Sequence, residues 1–171
     1  MTSRSTTPVA SAVGPREFRQ AMGRFVTGVA VVTSYGPGGP YGTTVSSLTS
    51  VSLEPPMLLI CLGHGSQVAE VIDACGVFTV NVLGREQSSL ASRFAASDRP
   101  RGAAGFAGVP HRVGAAGTPV LDGAVTHLDC WVAQRVTAGD HTVFIGEVTD
   151  IGCSPDTDPL AYHQGKLLGL R

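Results

Sequence analysis

Short runs rich in β-branched residues, separated by turns of glycine and proline, constrain the fold of this chain more than any other feature. The run GVAVVTSY (Gly28–Tyr35) is followed by the turn GPGGP (Gly36–Pro40), after which an extended segment continues to Ser47. β-Branched side chains favour strands, and Gly and Pro favour the turns that join them. Segment 28–47 is therefore predicted to be a β-hairpin.

Periodicity assigns the remaining elements. Apolar runs predict strands over Met57–Leu62, Phe78–Leu83, Val120–Val136 and His141–Ile151, with a short extended tail over Pro159–Leu170. An i, i+3, i+4 spacing of apolar residues predicts helices over Pro15–Phe25, over Gln67–Cys75 with Ser66 as its cap, and over Arg85–Ala95. The first helix is expected to pack against the core and seal one side of it.

Helix and strand do not alternate regularly, so the fold class is predicted to be mainly β, an antiparallel barrel with peripheral helices. Trp131 and Phe144 are expected in its core. Residues 96–118 are rich in Gly, Ala, Arg and Pro and are expected to form a weakly ordered loop. Residues 1–14 are predicted to be a disordered tail, leaving 15–171 as one domain.

Composition excludes several classes of function. The chain carries a net charge of −1 without runs of Lys or Arg, which argues against nucleic acid. No apolar run is long enough to cross a membrane. Cys61, Cys75, Cys130 and Cys153 are widely spaced and form no cluster with His, so no metal site is expected. They are interpreted as buried free thiols in a reducing, cytoplasmic compartment.

Hydroxyl groups are concentrated in one stretch between two predicted strands. Seven of the ten residues from Thr43 to Ser52 are Ser or Thr. Hydroxyls and accessible backbone N–H groups can surround a phosphate or polyol, although a polar turn-rich connection would have the same composition. Asn81 interrupts the apolar strand FTVNVL, so its amide either caps the sheet or faces a ligand.

Several segments, in order along the chain, resemble the short-chain flavin reductases, the reductase partners of two-component flavin-dependent monooxygenases. These are FRQAMGRFVTGVAVVTS (Phe18–Ser34), TVSSLTSVSLEPPMLLICL (Thr44–Leu62), FTVNVL (Phe78–Leu83), PVLDGAVTHLDCWV (Pro119–Val132), GDHTVFIGEV (Gly139–Val148) and PLAYHQGKL (Pro159–Leu167). The resemblance implies an FMN-binding split β-barrel with Greek-key antiparallel topology, which forms a homodimer with one flavin site per subunit.

The resemblance also implies which residues form the site. His141 is expected beside the stacked nicotinamide and flavin rings. Thr27 and Val29 are expected on one side of the flavin ring, Asn81 and Val82 at the strand end that meets it, and Tyr162, Gly165 and Lys166 in a closing segment. Ser66 stands in the segment where relatives hold the phosphate. The residues expected to wrap the ribityl-phosphate tail are Val45, Ser46, Ser47, Ser50, Val51, Ser52 and Leu53.

The activity implied is reduction of FMN or FAD by NADH, or alternatively NADPH, with reduced flavin passed to a partner monooxygenase. Hydride transfer needs aligned rings and excluded water more than acid or base groups, in keeping with the absence of a nucleophile or acid–base motif. Two alternatives use the same barrel. One is a non-catalytic flavin carrier, and the other is an oxidase of the pyridoxamine-phosphate type, which would need basic residues for a substrate phosphate.

Overall fold

Antiparallel strands dominate the computed structural model, which describes residues 13–154 and 157–170 of the chain. The strands are β1 (Thr27–Gly28), β2 (Ala30–Gly36), β3 (Gly39–Val45), β4 (Thr49–Leu53), β5 (Pro56–Gly63), β6 (Val77–Val82), β7 (His111–Val113), β8 (Pro119–Leu121), β9 (Thr126–Ala138), β10 (His141–Cys153), β11 (Leu160–His163) and β12 (Lys166–Gly169). The helices are α1 (Pro15–Met22), α2 (Gln67–Cys75) and α3 (Ser88–Ala95), with 3₁₀ turns over Arg85–Gln87 and Gly102–Phe106.

Seven strands form the main sheet in the order β3-β2-β6-β9-β10-β5-β4, and every pairing in it is antiparallel. A second sheet joins β1, β11 and β12, and β7 pairs with β8. Neighbours such as β2 and β6 are distant in sequence, as a Greek key requires. The predicted fold class, mainly β and antiparallel with peripheral helices, is confirmed.

The residues of β2 and its flank are buried on both faces of the main sheet. Ala30 and Val32 belong to one buried cluster with Ile60, Phe78 and Phe144, while Val29 and Val31 belong to a second with Leu83, Phe94 and Leu121. Successive side chains of a strand point to opposite faces, so a strand buried on both faces is apolar throughout. The core of the domain thus consists of two clusters, one on each side of β2.

The helix over Gln67–Cys75 and the hairpin through Gly36–Pro40 are confirmed. The helix predicted over Arg85–Ala95 is divided into a 3₁₀ turn and α3, with Ala91 and Phe94 buried as predicted. Thr49–Leu53, which was expected to belong to a hydroxyl-rich loop, is instead the edge strand β4. The disordered tail predicted over residues 1–14 lies outside the described residues except for Val13 and Gly14.

Segment 96–118 is not the weakly ordered loop that its composition predicted. The guanidinium of Arg93 donates to the carbonyls of Gly105 and Ala107, and Ala103 N–H donates to Gly38 O. The ring of Phe106 packs against Phe94 with centroids 5.0 Å apart. Long-range hydrogen bonds and one aromatic contact therefore fix a segment that lacks any periodicity.

Two further core predictions were wrong. Phe144 is buried, but Trp131 is 61% exposed because it follows the inward-facing Cys130 on β9 and so points outward. Of the four cysteines, only Cys130 is buried; Cys75 and Cys153 are exposed. Burial, reinforced by the neighbouring Asp129 carboxylate, raises the pKa of the Cys130 thiol to about 12.

α1 does not seal the core. Phe18, Met22 and the following Phe25 are 61%, 51% and 66% exposed, and no residue of α1 is buried. The clusters are covered instead by α2 and α3, which supply Val68, Ile72, Ala91 and Phe94. The apolar period of α1 was correctly interpreted as a helix, but a period does not specify what covers the apolar face.

A buried carboxylate ties the segment before β8 to the main sheet. Asp129 is fully buried; its Oδ1 accepts from Thr79 Oγ1 at 2.6 Å and its Oδ2 from Ala116 N–H at 3.0 Å. Removing the carboxylate would leave the N–H of Ala116 without its partner, while Thr79 Oγ1 would keep only its hydroxyl neighbour Thr118.

We expect Asp129→Ala to lower the free energy of unfolding by about 3 kcal/mol, since it removes two hydrogen bonds of a fully buried carboxylate and leaves a cavity. Urea denaturation followed by circular dichroism measures the change. Asp73→Ala is the matched control, because Asp73 pairs with Arg135 at an exposed surface and its loss should cost less than about 1 kcal/mol. Equal effects of the two substitutions would contradict the prediction.

Candidate functional site

The site is built around a seam where β3 approaches β5 without a ladder of main-chain hydrogen bonds. β4 pairs with β5 only as far as Thr49 opposite Leu59. The next groups of β5 along the strand bond to a side chain instead of a strand. The Oγ of Ser47 accepts a hydrogen bond from Cys61 N–H at 3.0 Å and donates one to Cys61 O at 3.1 Å. One hydroxyl therefore bonds both main-chain groups of Cys61, which a neighbouring strand would otherwise pair.

A cavity of about 280 Å³ opens at this seam and is called here the seam cavity. It is lined by Thr43, Thr44, Val45, Ser46 and Ser47 on one side, by Cys61, Leu62 and Gly63 on the other, and by Ser66 and His141. Most of these groups are small or carry hydroxyls. The cavity can therefore admit a polar chain close to the backbone.

Ser66 brings a helix N-terminus to the seam cavity. It precedes α2 as its N-cap, yet its side chain makes no capping bond, and its buried Oγ has no hydrogen-bond partner among the described residues. The first N–H groups of a helix are unpaired and carry partial positive charge. An unpaired hydroxyl beside such an end is suited to bind an anion.

His141 is held in a defined orientation at the opposite wall. It pairs with Gly63 across β10 and β5, and its Nδ1 lies 2.8 Å from Asp140 Oδ1. The hydrogen bond from His141 holds the pKa of the Asp140 carboxyl below its usual value. The ring is half-exposed, and Nε2 has no protein partner within residues 13–154 and 157–170.

A second, more apolar cavity of about 370 Å³ adjoins the first and is called the middle cavity. Its lining comprises Val29, Thr44, Val45, Ser46, Ala91, Ser92, Ala95, Tyr162, Gly165 and Leu167. The two cavities share Thr44, Val45 and Ser46. Near it lies Thr27, which pairs with Tyr162 across β1 and β11 and whose buried Oγ1 also lacks a partner in the described chain.

Many of the sequence-predicted site residues thus meet at two connected cavities. The seam cavity brings together Val45, Ser46, Ser47, Ser66 and His141, and the middle cavity brings together Val29, Val45, Ser46, Tyr162 and Gly165. The others are not grouped with them: Ser50, Val51, Ser52 and Leu53 lie on β4, Val82 ends β6, and the exposed Lys166 begins β12.

Asn81 is a structural residue as far as its side chain is concerned. The amide is fully buried; its Nδ2 donates to Val31 O at 3.2 Å and its Oδ1 accepts from Leu121 N–H at 2.8 Å. These bonds connect β8 to β2. The side-chain amide is therefore satisfied within the sheet, as one of its two predicted roles requires, and the predicted contact of Asn81 with the flavin stays a prediction that its backbone would have to meet.

Sequence reasoning missed the walls that α3 and β12 contribute. Ala91, Ser92 and Ala95 of α3 and Leu167 of β12 line the middle cavity. Thr44 fixes α3 against β3, because its Oγ1 donates to Ala91 O at 2.7 Å. The small residues on one face of the predicted helix were the one signal in the sequence for a cavity wall. The same residues are equally typical of close packing between a helix and its neighbour.

A split antiparallel barrel with connected polar and apolar cavities beside the seam is the architecture of a flavin reductase-like protein. Residues 22–171 match the family model described as flavin reductase like domain, and the chain belongs to this family. The resemblance inferred from the sequence is confirmed.

Individual relatives are similar over almost the whole chain. The reductase subunit HsaB of a flavin-dependent monooxygenase from Rhodococcus jostii is 35% identical, covering 94% of this chain and 80% of its own. The NADH-dependent FMN reductase AsuE2 from Streptomyces nodosus subsp. asukaensis is 40% identical, covering 92% and 86%. The structure of the Streptomyces globisporus NADH:FAD oxidoreductase SgcE6 with NAD and FAD fragments superposes with a TM-score of 0.85 at 35% identity, covering 95% and 98%.

Two serines of the seam cavity should differ sharply in their effect on stability. Ser47→Ala should lower the free energy of unfolding by about 1–2 kcal/mol, because Cys61 loses both partners. Ser66→Ala should leave it within about 0.5 kcal/mol, because that hydroxyl makes no bond within the described protein. Urea denaturation of the ligand-free variants measures both. A larger cost for Ser66→Ala would show that the hydroxyl is already satisfied.

Proposed function

We propose that this protein transfers hydride from NADH to FMN or FAD and supplies the reduced flavin to a partner monooxygenase. The observation that carries the proposal is the seam cavity, where an unpaired buried hydroxyl and a helix N-terminus adjoin a more apolar cavity large enough for a ring. Membership of the flavin reductase-like family and the activities named for AsuE2 and HsaB support it.

The residues of the seam cavity fit the phosphate and ribityl chain of a flavin. Ser66 Oγ and the first N–H groups of α2 would bind the phosphate, and the small side chains from Thr43 to Ser46 leave room for the polyol. No Lys or Arg lines this cavity. Binding by neutral donors favours moderate affinity, as a flavin that must leave after reduction requires.

The middle cavity provides the environment for the rings. A bound flavin supplies an electron-accepting ring system, and hydride transfer requires the nicotinamide to lie against it with water excluded. Val29, Ala91 and Leu167 provide apolar walls, and Tyr162 provides an aromatic surface at the entrance. His141, oriented by Asp140, would donate or accept a hydrogen bond through Nε2 at the edge of the rings. Thr27, Ser50–Leu53, Asn81, Val82 and Lys166 stay predicted contacts.

We also propose that the active form is a cytoplasmic homodimer. Phe18, Met22 and Phe25 form an exposed apolar strip on and just after α1, and burying it against a second subunit would remove it from water. The exposed thiols of Cys75 and Cys153 suit a reducing compartment. No helix in the described part of the chain has the length and apolar character needed to cross a membrane.

Steady-state oxidation of NADH, followed at 340 nm, tests the function directly. The purified protein should oxidise NADH rapidly only when FMN or FAD is added, and anaerobic assays should show the flavin bleaching in equal amount. Riboflavin, which lacks the phosphate, should have the higher KM because it cannot use Ser66 and α2. NADPH in place of NADH measures the preference for the donor. Tight flavin binding without turnover would instead favour the carrier function.

His141→Ala should raise the KM for NADH about tenfold, the effect of losing one hydrogen bond worth about 1.4 kcal/mol, while changing the KM for flavin less. His64→Ala is the matched control, because His64 is an exposed histidine of the turn between β5 and α2 and lines neither cavity. His141 shares the seam cavity with Ser66, so a larger rise in the flavin KM is the informative contrary result. It would assign the imidazole to the flavin tail.

A further inference from the structure

The helix α3 is attached to the strand β3 by side-chain hydrogen bonds at two points. In the middle of the helix, Thr44 Oγ1 donates to Ala91 O at 2.7 Å. At the C-terminal end, the guanidinium of Arg99 donates through Nη1 to Ala96 O at 2.7 Å and through Nε to Gly42 O at 3.1 Å. One guanidinium therefore joins the end of α3 to the backbone of β3.

The two elements also approach each other more closely than a side chain at Gly42 would permit. A Cβ atom at this position would lie 2.7 Å from Cε1 and 2.9 Å from Cδ1 of the Phe94 ring, far inside normal contact. Gly42 and Phe94 are both buried. α3 thus lies directly on the backbone of β3, and the polar bonds fix where along the strand it lies.

Arg99 is partly removed from water where it makes these bonds. Its side chain is half-buried, and burial lowers the pKa of the guanidinium. Ala96 is the C-cap of α3, where carbonyl groups lack helical partners and carry partial negative charge. A planar guanidinium presents its donors at fixed angles, so it can hold the carbonyls of Gly42 and Ala96 in one geometry.

α3 is also a wall of the middle cavity, in which the proposed function places the rings. Ala91, Ser92 and Ala95 line this cavity from the helix, and Thr44–Ser46 line it from the end of β3. A change in the distance between α3 and β3 consequently changes the width of the cavity. Arg99 lines neither the middle cavity nor the seam cavity, so any influence it has on the rings passes through α3.

We propose that Arg99 is a positioning residue for hydride transfer: by holding α3 on β3, it fixes the width of the ring site and thereby the alignment of nicotinamide and flavin. The inference rests on the proposed function. Misplacing reacting groups by about 1 Å can slow a reaction about a hundredfold, so a small shift of α3 is sufficient. Binding of the flavin tail in the seam cavity does not depend on this attachment.

Anaerobic stopped-flow reduction of protein-bound FMN at saturating NADH measures the hydride-transfer step. Arg99→Met keeps an apolar stem and removes the donors, so it should lower the rate constant at least about fivefold. It should also weaken the long-wavelength charge-transfer absorbance of the stacked rings. The Kd for FMN, measured by fluorescence quenching, should stay within about twofold of the wild-type value. An unchanged rate constant would overturn the proposal.

Arg93→Met is the matched control. Arg93 also donates to two main-chain carbonyls, those of Gly105 and Ala107, but these bonds join α3 to residues 102–107 and not to β3. Both variants should lower the urea midpoint of unfolding to a similar extent, whereas only Arg99→Met should slow hydride transfer. Equal losses of rate in the two variants would attribute the effect to general destabilisation and would contradict the positioning role.

Arg99→Lys separates geometry from charge. A lysine keeps the positive charge but cannot reproduce the planar fork, so this variant should be as slow as Arg99→Met. The contrary result is a wild-type rate in Arg99→Lys, together with a loss of affinity for FMN but not for riboflavin in Arg99→Met. That result would replace positioning by an electrostatic attraction between Arg99 and the flavin phosphate.

Hydrogen exchange of the ligand-free protein tests the attachment without turnover. Peptides covering α3 and residues 41–47 should exchange faster in Arg99→Met, whereas in Arg93→Met the increase should centre on residues 102–107. Unchanged exchange in α3 and β3 of Arg99→Met would show that Arg99 does not hold the helix. A wild type without flavin-dependent NADH oxidation would overturn the proposed function, whereas normal wild-type turnover with an unaffected Arg99→Met variant would overturn this inference alone.

Discussion

The hydroxyl of Ser47 is the interaction on which the geometry of the site depends. It bonds both main-chain groups of Cys61 where β3 and β5 meet without a ladder, and it thereby fixes the width of the seam. A complete ladder would leave no opening, whereas an unpaired edge would cost free energy and invite association with other strands. One side chain satisfies the backbone and keeps the cavity open, and the neighbouring hydroxyl of Ser66 remains for a ligand.

Two connected cavities of different character define the site. The seam cavity has neutral donors and a helix N-terminus, and the middle cavity is more apolar. A flavin in the proposed position would hold its phosphate at the neutral donors and its ring between the apolar walls, with the Thr44–Ser46 segment as the boundary between the two cavities.

The local sequence pattern predicted most of the helices and strands. It gave wrong predictions where long-range contacts determine the structure. β2 and α2 were found because β-branched runs and the helical period are properties of the segment itself. Residues 96–118 have no such period, and their order comes from bonds such as Arg93 to Gly105 O that no local rule reveals. The burial of Trp131 was wrongly predicted because an apolar residue on a strand gives no sign of which face of the sheet is covered. The prediction that α1 packs against the core was wrong for the same reason.

The sequence by itself determined the strand and helix segments, the family, and through that resemblance the residues Ser66, His141 and Tyr162 as candidates for one site. Only the tertiary structure decided that Asn81 is satisfied within the sheet, that β4 is separate from the two cavities, and that the apolar side of α1 is exposed. The physical reason is that propensity and periodicity act between residues close in the chain. Which donors remain unpaired and which apolar faces are covered depend on segments that meet only after folding.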